Sequence, residues 1–319
     1  MGIDLEDVRK VRRGKMEEIR RIEVGERRKI WHQHWASPIF DDAELAKIVA
    51  KGLARIAEMQ QGDGGWGWWT RDASSPYLTS YVLHALLTAR EADVAVDDGM
   101  IQRGLRFLQG WEQAELQKER WSPGAMHAFV AYVLSQGGVR AAIEPAKEDK
   151  RPGDLIERLW RRRDALNLYG RSLLSLAMAN LDDETRAETV LENVLQYLER
   201  NEETQVAWLR TPEAGWWYWW NNDIETNAWA LRALVRLRPQ SEIAPQLVKW
   251  LLNNRRNGYY WRSTRDTTLC VSAMSDFVLA SGEGEPDYTI RFELDGGQIV
   301  KEVKVSKESF FTYDNRFVV

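Results

Sequence analysis

GWWYWWNNDIETNAWALRALVRLRPQSEIAPQLVKWLLNNRRNGYYWRSTRDTTLC, residues 215–270, contains one complete unit of architecture. An aromatic turn leads into residues 223–237, where Ile224, Ala228, Leu231, Ala233, Leu234 and Leu237 are spread so widely around a helical axis that little polar surface remains. That spread predicts a helix buried on most sides. Residues 241–255 differ: Ile243, Leu247, Trp250 and Leu251 fall on one stripe, while Glu242, Gln246, Lys249 and Asn253 fall elsewhere. This helix lies on a surface. A second aromatic turn, with Tyr259 and Trp261, follows. The unit is therefore an inner/outer helical hairpin.

Outward from it, the same alternation recurs. Residues 42–61 carry Leu45, Ile48, Val49, Leu53, Ile56 and Met59 at helical spacing and stop at Gly62-Asp63-Gly64-Gly65, where glycine permits backbone angles that other residues avoid. Trp66, Trp68 and Trp69 follow, then an apolar helix over 77–90. Residues 97–113 are amphipathic, 124–136 mostly apolar, 153–162 outer in type, 168–181 inner, 184–200 outer, and 267–279 the last inner helix. A charged, Gly/Pro-containing loop is expected at 137–152, a basic helix at 4–22 and a connector over 23–40. Pairs recurring at intervals of roughly 25–45 residues mark an α-hairpin repeat. Inner helices that are apolar nearly all round suit a closed double ring, so the expected fold is an all-α α/α toroid. Lys51-Gly52, Ile56, Gln60, Gly64 and Trp66 nearly trace the Gln/Trp turn of terpene-cyclase-like toroids, with Arg55 where that turn has an aromatic residue.

After Gly282 the apolar period changes to two. Tyr288, Ile290, Phe292 and Leu294 alternate with polar residues, Asp295-Gly296-Gly297 makes a turn, and 299–305 alternates again, predicting a β-hairpin. The expected organisation is an N-terminal helix and connector (1–41), a toroid (42–282) and the start of a β-domain (283–319).

Composition sets bounds on function. The 319 residues, 44% hydrophobic with 16 Trp, suffice for a large core, and a net charge of −4 with dispersed Lys and Arg points away from nucleic acid. No apolar run reaches about 18 residues, so direct membrane insertion is not expected. The single cysteine, Cys270, precludes an internal disulfide, and the four histidines show no paired metal-ligand spacing, so neither metal nor cofactor is expected.

The residues also carry a family resemblance. Glu225-Thr226-Asn227-Ala228, Ala230-Leu231, Ala233-Leu234, Trp250-Leu251, Asn254-Arg255-Arg256, Gly258, Trp261, Ser263-Thr264 and Asp266-Thr267 resemble the thioester-containing domain of α2-macroglobulins and complement proteins, in its bacterial form. The segments 62–66 and 77–83 fit the same domain, and the strands after Tyr288 resemble the start of its CUB-like β-domain. The resemblance implies a scaffold fragment of a broad-spectrum protease trap, not an enzyme. Its implied partners are proteases and neighbouring macroglobulin β-domains, and its implied setting is extracytoplasmic. The family's chemistry resides in a Cys-x-Glu-Gln thioester motif, which this sequence lacks. The motif is expected one helix upstream of this segment, unless it has been lost.

All the aromatic turns precede inner helices, so in a toroid they converge on one mouth, where the family's thioester also opens. The candidate mouth residues are Trp66, Trp68, Trp69, Tyr77, Trp121, His127, Trp217, Tyr218, Trp219, Trp220 and Trp261. A rim of indoles and phenols shields a thioester from water. The plainer account of each Trp is that it closes a turn against the core. His127 is read as structural, although a histidine at the mouth can convert a thioester to an acyl intermediate. Asp223 and Asp266 suit helix caps or first turns, and Cys270 suits a small buried hydrophobe. The competing class is a toroid enzyme of terpene-cyclase or glycan-processing type. Asp41-Asp42, Asp97-Asp98 and Asp182-Asp183 complete neither the Asp-x-Asp-Asp of a protonating cyclase nor the Asp-Asp-x-x-Asp of an ionising one. The paired carboxylates of glycoside cleavage are defined by a separation in space that sequence does not give.

Overall fold

The computed structural model describes residues 42–118, 120–138, 155–211, 223–256, 260–282, 287–294 and 298–306. The expected helix at 4–22, the connector, most of the 137–152 loop and residues 307–319 lie outside them. Two compact units are present, divided after Gln60. The described part of the first is helix α1, Asp42–Met59, which carries the predicted apolar stripe.

The second unit alternates as the pattern requires. Its inner helices are α2 (Pro76–Glu91), α4 (Ala125–Gln136), α6 (Leu168–Asn180), α8 (Asp223–Leu237) and α10 (Thr264–Ser281). The outer ones are α3 (Asp98–Leu116), α5 (Leu155–Arg161), α7 (Glu184–Leu195) and α9 (Ile243–Asn253). Burial separates the two classes. In α6 every residue from Tyr169 to Ala179 is buried, and α4 is buried without interruption from Ala128 to Ser135. Outer α7 buries only Ala187, Val190, Leu191 and Val194, a single stripe. The inner helices pack in sequence, α2 on α4, α4 on α6, α6 on α8 and α8 on α10. Arg265 of α10 reaches Tyr77 of α2, which brings the last inner helix back to the first.

Helix starts follow side-chain chemistry. Ser75, Asp97, Asn167, Asp183 and Ser263 each accept a hydrogen bond from a backbone N–H two or three residues ahead, the N-cap arrangement. Gly64 stands at φ 90°, and a Cβ there would lie 2.5 Å from the Arg103 carbonyl oxygen. Gly104 leaves room for Trp66, whose ring would come within 2.7 Å of an added Cβ.

The structure departs from the sequence pattern in two places. The expected outer helix over 184–200 ends at Leu195 and gives way to an antiparallel hairpin, β1 (Leu198–Asn201) with β2 (Val206–Leu209). Leu198 continues the helical apolar period of Val194, which hides the break. Gln205 makes the turn at φ 52°, and Ala207 and Leu209 are fully buried. The hairpin is tied to α8 by Asn227, whose Oδ1 accepts from Leu209 N at 2.7 Å and whose Nδ2 donates to Leu209 O at 2.9 Å. The side-chain amide thus takes the place of a neighbouring strand.

The second departure is α10. It starts at Thr264, not Thr267, and buries one face through Leu269, Cys270, Ala273 and Phe277. Val271 and Leu279 remain 53% and 82% exposed, so this helix is inner by position but not buried all round. The predicted C-terminal hairpin is present as β3 (Tyr288–Leu294) and β4 (Gln298–Val305), with a register shift between Phe292 and Glu293.

Asn227→Ala leaves a buried N–H and a buried C=O of Leu209 without partners. The expected loss is about 2–4 kcal/mol in urea unfolding. A change below about 0.5 kcal/mol, the range of neutral surface substitutions, would contradict this role for the amide.

Candidate functional site

The five inner helices begin at one end of the second unit, and their first turns meet there. Tyr77 and Tyr81 of α2 stack edge to face at 4.8 Å, and Tyr81 lies 4.8 Å from Phe129 of α4. Tyr81 Oη donates to Glu225 Oε1 of α8 at 3.3 Å. Arg265 of α10 places Nε 2.5 Å from the same oxygen and donates from Nη1 to Tyr77 Oη at 2.7 Å. Tyr169 of α6 is buried within this group, as is Asp266 beside Arg265.

Glu225 has no exposed surface, whereas the Arg265 side chain is 28% exposed. The arginine therefore reaches in from the rim and meets a carboxyl that water does not. Burial pushes the Glu225 carboxyl up to about 7; Arg265 opposes the shift and Asp266 adds to it. Burial alone would lower the Arg265 guanidinium, but Glu225 and the tyrosines reverse that and hold it charged. The Tyr77, Tyr81 and Tyr169 phenols are raised chiefly by burial, so they are neutral donors at any physiological pH.

The predicted mouth residues separate into groups. Trp66 and Trp261 are 2% and 3% exposed and close turns against the core. They do so in the same way. Trp66 N donates to Thr79 Oγ1 at 2.9 Å and Trp261 N to Thr267 Oγ1 at 3.1 Å, each threonine four residues beyond its Ser N-cap. Trp68 and Trp69, which follow Trp66 in the chain, are 63% and 76% exposed. Tyr77 joins the central cluster. Trp121 and His127 form a separate group: the His127 ring lies 5.4 Å from Trp111 and 5.2 Å from Trp121, and its Nε2 is 3.3 Å from Glu115 Oε2. Burial lowers the imidazole and Glu115 partly restores it. Trp217, Tyr218, Trp219 and Trp220 lie outside the described residues, as does Tyr259.

Asp223 and Asp266 both stand in first turns, Asp223 accepting from Thr211 N at 3.0 Å. Cys270 is fully buried, and burial followed by Asp266 and Glu225 pushes its thiol well above the usual range. It is not a reactive thiolate. Among the described residues no group of three or more His, Cys, Asp or Glu side chains is placed to hold a metal, and no helix is long and apolar enough to cross a membrane. Tyr81, Tyr169 and Arg265 are not among the candidate mouth residues that the sequence pattern marks. Their signal was available: each stands on an inner helix within two turns of its start, where an apolar residue is the norm.

This α/α toroid arrangement recurs in solved structures. Native α2-macroglobulin from Escherichia coli, spanning domain MG7 to the C-terminus, superposes with a TM-score of 0.55 at 18% identity, covering 83% of this chain and 38% of that one. Salmonella α2-macroglobulin reacted with methylamine gives 0.55 at 20% identity, covering 84% and 16%. In sequence, the α2-macroglobulin of Thermotoga maritima is 26% identical over 243 residues, 75% of this chain and 12% of that protein. That of Escherichia coli K12 is 25% identical over 284 residues, 85% of this chain and 16% of that protein. The chain thus spans less than a fifth of the length of these relatives. The A-macroglobulin TED domain profile matches residues 31–120 and 124–277. The chain belongs to that family.

Glu225 provides a pH test. Its folded value of about 7 lies above the 4.5 of an ordinary glutamate, so the folded state binds the proton more tightly. The stability this contributes is fully present below pH 4.5 and is lost as pH rises through 7, by up to about 3 kcal/mol. Urea unfolding of wild type and Glu225→Gln across pH 4.5–8 should show that decline in the wild type only. Parallel pH profiles would contradict it.

Proposed function

We propose that this protein is the thioester-domain scaffold of an α2-macroglobulin-like protease inhibitor, followed by the first strands of its CUB-like β-domain. The family match over most of the toroid supports this reading, and the convergence of inner-helix first turns on one aromatic end carries it. The scaffold supplies pocket walls and no enzymatic step. Its sequence contains no Cys-x-Glu-Gln, and its one cysteine is buried and protonated. The partners are proteases and adjoining macroglobulin β-domains, in an extracytoplasmic setting.

On this reading the first turns form the base of the thioester pocket. The tyrosines offer a dry, neutral surface, with the Tyr81 and Tyr77 hydroxyls already committed to Glu225 and Arg265 and that of Tyr169 to Tyr81, so no stray nucleophile faces the acyl carbon. Trp68 and Trp69 are the exposed indoles that cover the approach. His127 is caged by two tryptophans and Glu115, which suits a structural role. Glu225, with its near-neutral carboxyl, is the group on which a hydrolase or cyclase reading would rest, but it has no exposed surface to offer a substrate.

The test uses the full product of the gene. Methylamine treatment should add one methylamine and release one thiol, read by intact mass and thiol titration, and the double substitution of Trp68 and Trp69 by Ala should speed spontaneous loss of the thioester several-fold. A product that gains neither mass nor thiol would contradict the thioester reading. An unchanged decay rate in the double variant would contradict the shielding role.

A further inference from the structure

At the other end of the inner helices, their C-terminal turns line an open cavity of about 500 Å³. Its volume is in the range of small-ligand sites, and the thioester reading makes no use of it.

One wall is a relay of hydrogen bonds running from one carboxylate to another. Arg232 donates from Nε to Asp276 Oδ2 at 2.6 Å, lies 5.0 Å over the Trp229 ring, and reaches His84 Nε2 through Nη1 at 3.4 Å. A guanidinium only donates, so Nε2 accepts and His84 carries its proton on Nδ1, 2.8 Å from Gln136 Oε1. Gln136 Nε2 then donates to Glu91 Oε1 at 3.3 Å. Burial, and next Arg232, push His84 down to about 4, which keeps this order at neutral pH.

What remains uncommitted decides the ligand. Arg236, one turn beyond Arg232 on the same face of α8, makes only a 3.5 Å contact with the Ala179 carbonyl and has no carboxylate partner among the described residues. Asp276 and Glu91 each use one oxygen in the relay and keep the other. Leu176, Val235, Pro239, Ala280 and the 82% exposed Leu279 form an apolar wall, and Tyr132 and Asn180 add a phenol and an amide to the lining. A simple anion would meet two carboxylates here and a simple cation two guanidiniums. Only a molecule bearing both charges meets each with its opposite.

We propose that this cavity binds a short zwitterionic peptide. Its carboxylate pairs with Arg236, its ammonium is held by Asp276 and Glu91, and its aliphatic group lies over Leu279. A free dipeptide and the terminus of a polypeptide share part of this chemistry, but a terminus brings only one of the two charges.

Isothermal titration of the 319-residue protein with alanyl-leucine, N-acetyl-alanyl-leucine and alanyl-leucine amide separates these cases. The dipeptide should bind, and each blocked form should bind about tenfold or more weakly, the cost of one lost charge-assisted hydrogen bond. In Arg236→Gln the amide and the free acid should become equal; in Glu91→Gln the penalty of acetylation should shrink. No heat of binding for the dipeptide at about 10 mM would overturn the proposal. So would an acetylated form that binds as well as the free one, which would make the site a receptor for the carboxyl ends of polypeptides. Because the blocked peptides are read on the unaltered protein, the outcome does not depend on the variants folding. Failure here would leave the thioester-domain reading untouched.

Discussion

A carboxylate with no exposed surface must find its counter-charge inside the protein, and Glu225 finds it in Arg265. Leaving either partner alone in that environment costs several kcal/mol. The pair therefore fixes how α8 and α10 meet, and the tyrosine hydroxyls add α2 to the same knot. Parallel inner helices make this possible. Their N-termini all face one end, where the helix dipoles favour an acid such as Glu225, and their C-termini face the other, where Arg232 and Arg236 stand. The two ends of one cylinder thus differ in chemistry because the connecting outer helices all run back the opposite way.

Much of this was legible in residues alone. The breadth of the apolar stripe separates inner α8 from outer α9, and the switch from a period of 3.6 to a period of two places the β-hairpin after Gly282. The family follows from the Glu225–Ala228 and Ser263–Thr267 segments. The hairpin at 198–209 was not legible, because Leu198 sits where a continuing helix would also put an apolar residue. What holds the hairpin is a tertiary contact, the Asn227 amide standing in for a strand, and no local pattern announces it. The sequence pattern puts Asp266 in a first turn, where the structure has it, but does not pair Glu225 with Arg265, because that arginine lies two helices further along the sequence.

The aromatic turns were harder still. Trp66, Trp68 and Trp69 are three positions of one short segment, yet the first is buried and the other two face solvent. Composition marks all three equally. The hydrogen bond from the Trp66 backbone to Thr79, repeated at Trp261 and Thr267, sets the turn, while Gly104 makes room for the first indole and the Leu251 carbonyl accepts from the second. A Ser cap with Thr four residues later is the sequence trace of that arrangement, visible once the structure shows what to look for.

The coupling between Glu225 and Arg265 tests the central claim most directly. A double-mutant cycle with Glu225→Gln, Arg265→Gln and the pair, unfolded in urea at pH 8 where the carboxyl is ionised, isolates their interaction from the rest of the fold. The account predicts a favourable coupling of about 1–3 kcal/mol. A coupling indistinguishable from zero would mean that the first turns meet for reasons of packing alone, and that the buried charge is not what joins them.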